Sequence, residues 1–179
     1  MPLYDEETTP LQVMAKANLP PTAFGLSVDD NAGVRRLINQ TILPDLNATA
    51  QDDADIAAGF YDFPLADADL QVINPGWTSA QRAEKAARQE SKWRRYVLLE
   101  ATGELLLVAK TTGSNADELR ARAELWFVRA AIAKAEAIVS TQRLVAGAED
   151  STAGQSGAGT ISTAREDYSG LLAGAVIND

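Results

Sequence analysis

Residues 116–146, ADELRARAELWFVRAAIAKAEAIVSTQRLVA, carry two apolar stripes where an ordinary surface helix carries one. At about 100° per residue, Leu119, Ala123, Trp126, Ala130, Ala133, Ala137 and Leu144 fall on one side. Their steps of four, three, four, three, four and seven make a heptad seam. Leu125, Val128, Ile132, Ala135 and Val139 fall roughly half a turn away. A helix that is apolar on opposed sides must be covered twice. It is either the buried centre of a bundle, or it meets its own domain on one side and another subunit on the other.

The partner inside the chain is the segment before it. Residues 78–111 are rich in strong helix formers and start at Thr78 or Ser79. Ala86, Trp93, Val97, Ala101, Leu105 and Val108 form their stripe, and Gly103 is a place where a bend is expected. Thr111-Thr112-Gly113-Ser114-Asn115 breaks the pattern, with Gly113 suited to a C-cap and Ser114 or Asn115 to the next N-cap. So short a connection implies an antiparallel hairpin.

The remaining segments are less regular. Thr9 and Pro10 suit a helix start, and Leu11, Met14 and Ala15 share a face before Asn18 and Pro20-Pro21 stop it. Asp29-Asp30-Asn31 opens a helix over 31–43 through Val34, Leu37, Ile38 and Ile42, which Pro44 ends or kinks. Gln51 to Ala58 reads as a short helical turn. Phe60-Tyr61-Asp62-Phe63 reads as a short strand or a packing anchor, and Asp67 to Ile73 as a pairing strand, ahead of the turn Asn74-Pro75-Gly76. The fold class is mostly α: a long antiparallel hairpin with short N-terminal helices, room for short strands in 60–73, and an extended C-terminal arm. The domains are a helical unit, 1–146, and a flexible linker with arm, 147–179. Gly, Ser, Thr and Ala dominate the linker, and Tyr168, Leu171, Leu172, Val176 and Ile177 make the arm apolar again, as a partner-docking tail would be.

Composition excludes much chemistry. The chain has no Cys and no His. Disulfides, thiolate metal sites, Ser-His-Asp triads and histidine-based zinc centres are therefore impossible. Asp53-x-Asp55 and Asp67-x-Asp69 resemble paired metal ligands, but the Gly and closing Glu of a calcium loop are misplaced; capping and solubility explain them better. Lys92-Trp93-Arg94-Arg95-Tyr96 interleaves bases with aromatics as a nucleic-acid contact does, against an overall charge of −9 that disfavours phosphate. Neither phosphate-binding glycine motif is present. The expectation is a non-catalytic protein with no cofactor and no metal. No apolar run approaches the roughly 20 residues of a membrane span, and MPLYDEETTP lacks the basic start of a signal peptide, so a soluble protein without membrane partners is expected.

Charge is blocked along the chain. Residues 1–76 hold 12 acids and 3 bases, residues 77–146 hold 8 acids and 12 bases, and residues 147–179 hold 5 acids and 1 base. Such blocks either solvate helix faces or let opposite regions of neighbouring copies meet. Candidate interface residues are Leu125, Val128, Ile132 and Val139, with the aromatics Trp126, Phe127, Trp93 and Tyr96 as anchors.

This layout resembles the head-to-tail connector (adaptor) proteins of tailed bacteriophages. The likeness runs through Asp30-Asn31-Ala32-Gly33-Val34-Arg35-Arg36-Leu37-Ile38, the aromatic-led helix at Trp93-Arg94-Arg95-Tyr96, the Gly113-Ser114-Asn115-Ala116-Asp117-Glu118 break, the Ala-rich helix at Ala121-Arg122-Ala123-Glu124-Leu125-Trp126-Phe127, and the tail. The resemblance implies a homo-oligomeric ring in a virion, assembled in the host cytoplasm. Portal and tail proteins would be its partners, and DNA would at most pass through the lumen. An acidic inhibitory protein of DNA-mimic type is the alternative expectation.

Overall fold

The structure, a computed structural model, describes residues 2–109 and 114–147. Among these residues it is mostly helical and contains no strand. The helices are α1 (Thr8–Ala17), α2 (Asn31–Leu37), α3 (Leu43–Ala58), α4 (Asp67–Ile73), α5 (Ser79–Val108) and α6 (Ser114–Val145), with a 3-10 turn at Pro21–Phe24. The cap expected at Gly113 and the arm residues Tyr168, Leu171, Leu172, Val176 and Ile177 lie outside the described residues.

α1 is closed at its start by Asp5 rather than by Thr9. The Asp5 carboxylate accepts the Glu7 and Thr8 backbone N–H groups, and the Thr9 hydroxyl accepts the Asp5 N–H. Asn18 ends the helix in the left-handed conformation, φ 50°, returning its N–H to the Met14 carbonyl. Asp30 caps α2 through the Gly33 N–H at 2.7 Å.

Pro44 neither ends nor sharply breaks the helix that precedes it. Ile38–Ile42 widen into a π turn in which the Leu43 N–H reaches back to the Ile38 carbonyl, and α3 continues from Leu43. A proline cannot donate to a carbonyl four residues back, and its ring clashes with that carbonyl. One wider turn just ahead of it absorbs the misfit. What reads as a turn at 51–58 is thus the second half of a 16-residue helix.

The strand expected at Asp67 to Ile73 is helix α4 instead, and Phe60 to Phe63 lies in irregular chain. Seven residues of mixed polarity fit either period, and here the helical one wins. It buries Leu70 with Ile73 half-buried one turn on, and it keeps Asp67 and Asp69 in the first turn, where the helix dipole favours acids. Arg82 then clamps α4 to the start of α5: its guanidinium donates to both Asp67 oxygens at 2.7 and 3.0 Å and to the Trp77 carbonyl at 2.7 Å.

α5 begins with a full capping box between Thr78 and Gln81. α5 and α6 are antiparallel. Lys92 meets Ser140, the Trp93 indole donates to the Thr141 hydroxyl at 3.1 Å, and Gly103 lies against Phe127. α1 and α3 pack on α5 as well, and so does the π turn. α5 is therefore the surrounded helix, and Trp93, Val97, Ala101, Leu105 and Leu106 form its buried surface.

Candidate functional site

The first stripe of α6 turns inward. Leu119, Ala123, Ala130, Ala133, Ala137 and Leu144 are buried, with Trp126 half-buried beside them. Alanine lets the axes of α5 and α6 approach closely, so little side-chain volume separates them.

The second stripe is uncovered. Leu125 is 60% exposed, Val128 56%, Ile132 55% and Val139 45%, with Ala135 exposed between them. Steps of three and four join Leu125, Val128, Ile132, Ala135 and Val139, so this stripe too is a heptad seam. The cause is where the N-terminal helices go. α1 touches α6 only along one flank, where Arg122 donates to the Ala17 carbonyl at 2.6 Å and Lys16 lies 5.6 Å from the Trp126 ring. α3 touches the other flank, where Asp53 pairs with Lys134 at 2.5 Å. α3 sits in the groove between α5 and α6, α1 packs on α5 and reaches α6 at these residues, and the side of α6 opposite α5 stays open.

Two residues outside the expected set extend this face. α3 and α6 run in the same direction, because Asp53 meets Lys134 while Phe63, just beyond α3, packs edge-on against Trp93, the partner of Thr141. Counting on from Asp53, Ile56 falls on the margin of α3 that adjoins the open side of α6; Phe60 follows just past the helix end, and both are strongly exposed. Their signal in the sequence is an apolar pair four apart at the end of an acidic segment. That signal is lost when 60–63 is read as a strand.

The aromatic anchors divide. Trp93 and Tyr96 are core, not interface: each is buried, and Trp93 makes edge contacts with Phe63 and Tyr96 at 6.1 and 6.3 Å between ring centres. Burial, with the charges of Glu100 and Asp53, pushes the Tyr96 phenol up to about 12. Phe127 is half-buried against Gly103. Trp126 is half-buried between Lys16 and Arg129, the latter 4.8 Å from its ring, on the α1 flank of the inward stripe rather than on the open face.

The other candidates resolve into structural roles. Asp55 accepts the Phe63 N–H at 2.9 Å and the Gln51 amide at 3.1 Å, Asp53 holds Lys134, and Asp67 holds Arg82. In the Lys92–Tyr96 cluster the aromatics are buried, Arg94 pairs with Glu90 at 2.5 Å and Arg95 with Glu136 at 3.5 Å. No ring there is free to stack on a base. An open groove of about 380 Å³ between the 3-10 turn and the start of α6 is lined by Leu19, Ala23, Glu118 and Arg122, among others.

Comparison with protein-family models, with curated proteins and with solved structures finds no match to this chain.

Proposed function

We propose that this chain is a non-catalytic assembly subunit that associates with copies of itself through the outer face of α6. The single observation carrying this reading is the uncovered heptad seam Leu125, Val128, Ile132, Ala135 and Val139. Covering the exposed halves of its four large side chains contributes roughly 1 kcal/mol each. Exposed apolar patches on this scale mark interaction sites. Ile56 and Phe60 widen the patch, and bases and acids flank it, as the rim of an interface requires.

The assembly is a homo-oligomeric ring, of the kind that joins portal to tail in a tailed-phage virion. The support for that step is the resemblance in layout together with the blocked charge. The acidic-inhibitor alternative draws less support. Exposed acids for it exist at Asp29, Asp45, Asp52 and Asp62, but it gives the exposed apolar seam of α6 no role.

Sedimentation and light scattering of the purified chain test the reading. The wild type is expected as a discrete oligomer, and Ile132→Asp as a monomer with undiminished helical circular dichroism. A wild type that stays monomeric at high concentration, or an Ile132→Asp chain that assembles normally, overturns it.

A further inference from the structure

The flanks of the open α6 face carry opposite charge. On the α3 side, Asp45 and Asp52 are exposed, and Glu124 of α6 is exposed on the same side. On the α1 side, Arg129, Arg143 and Lys16 are exposed, and the positions of Lys16 and Arg129 over Trp126 fix them to that flank. Glu136 lies among these bases and is engaged by Arg95. Counting the exposed Arg120 with the first edge and the exposed Glu118 with the second, one edge is still net acidic and the other net basic, with the apolar seam between them.

We infer that two copies meet seam to seam with their α6 helices parallel, the acidic α3 edge of each against the basic edge of the other. This rests on the self-association proposed above and adds its direction. In the heptad frame Leu125, Ile132 and Val139 take a positions, and Val128 and Ala135 take d. Glu124 then falls at g and Arg129 at e, the two positions whose charges set orientation between helices. Parallel neighbours bring Glu124 of one copy to Arg129 of the next. Antiparallel neighbours bring like edge to like edge, Arg129 and Arg143 against the same residues, and like-charge contacts are disfavoured. Each seam-to-seam contact is two-fold, Glu124 of each copy meeting Arg129 of the other, so it forms a pair, and a ring is built from such pairs through a further contact.

Two charge-reversed chains test this. One carries Asp45→Arg, Asp52→Arg and Glu124→Arg; the other carries Arg129→Glu and Arg143→Glu. All five positions are exposed, and circular dichroism checks each fold. Each variant alone has two edges of like sign and is expected to associate at least tenfold more weakly than wild type, while an equimolar mixture regains assembly. The Cys-free chain permits a second measurement. An equimolar mixture of a Glu124→Cys chain and an Arg129→Cys chain, oxidised, is expected to give a covalent heterodimer, and neither chain alone a covalent homodimer. Charge-reversed chains that assemble like wild type, a charge-reversed mixture that stays dissociated, or a mixed cysteine pair that gives homodimers or no cross-link overturns the edge-to-edge inference. The self-association reading fails separately, if the wild type is itself monomeric.

Discussion

Gly103 of α5 makes room for the Phe127 ring of α6. A Cβ built there would stand 2.6 Å from the Phe127 ring, far inside contact distance. The glycine therefore serves close approach rather than a bend, and α5 runs unbroken through it. Gly103→Ala must displace a ring lodged between packed helices, so a loss of about 1–3 kcal/mol is expected from denaturant unfolding, with Phe127→Leu in the same chain recovering part of it. Glu100 holds a carboxyl raised above its ordinary range. Burial raises its carboxyl, the charge of Glu104 raises it further, and Lys134 partly opposes both. The folded chain thus holds this proton more tightly than the unfolded chain does. Its contribution to stability is present below the unfolded pKa and is lost as pH rises through the folded one. Glu100→Gln is expected to melt higher than wild type at neutral pH, the gap narrowing as acid protonates the wild-type carboxyl. Melting curves across that range check the sign, and a gap that widens in acid contradicts it.

At the scale of elements, local chemistry set most boundaries. The Thr78–Gln81 box, the left-handed Asn18 and the Asp30 cap each satisfy backbone groups that the helix end leaves open. Thr78→Ala is expected to cost about 1 kcal/mol in thermal or denaturant unfolding while leaving oligomeric state unchanged, because Thr78 lies outside the open face. α4 and the π turn show where local reading stops. The period of a seven-residue segment is ambiguous, and what holds α4 is Arg82, fifteen residues beyond Asp67. The consequence of Pro44 depends on whether the preceding turn can widen while Ile38 and Ile42 stay buried, and both do.

Across the whole molecule, the arrangement of layers gives α5 and α6 different fates. α5 is enclosed by α1, α3, the π turn and α6. α6 is enclosed on three sides, and its fourth side carries an apolar seam. Ile132→Asp belongs to this scale: within one copy it touches no packed layer, so its expected effect is on association and not on folding. A lower melting temperature in the dissociated Ile132→Asp chain than in a dissociated wild type, compared at matched dilution, would instead place Ile132 among the residues that hold one copy together.

The sequence by itself determined that α6 has two apolar stripes, that the inner one is the Ala-rich set with Trp126, that a hairpin carries the fold, and that histidine and cysteine chemistry is closed to the chain. These follow from periodicity and residue identity, which act over one or two turns. Only the tertiary structure decided which helix is enclosed. It sends Trp93 and Tyr96 to the core, leaves Leu125, Val128, Ile132 and Val139 outside, and adds Ile56 and Phe60 to them. An apolar stripe states that burial is favourable and does not name the surface that covers it. That choice depends on contacts between segments far apart in the chain: α3 and α1 settle beside α6 because Asp53 finds Lys134 and Arg122 finds the carbonyl of Ala17.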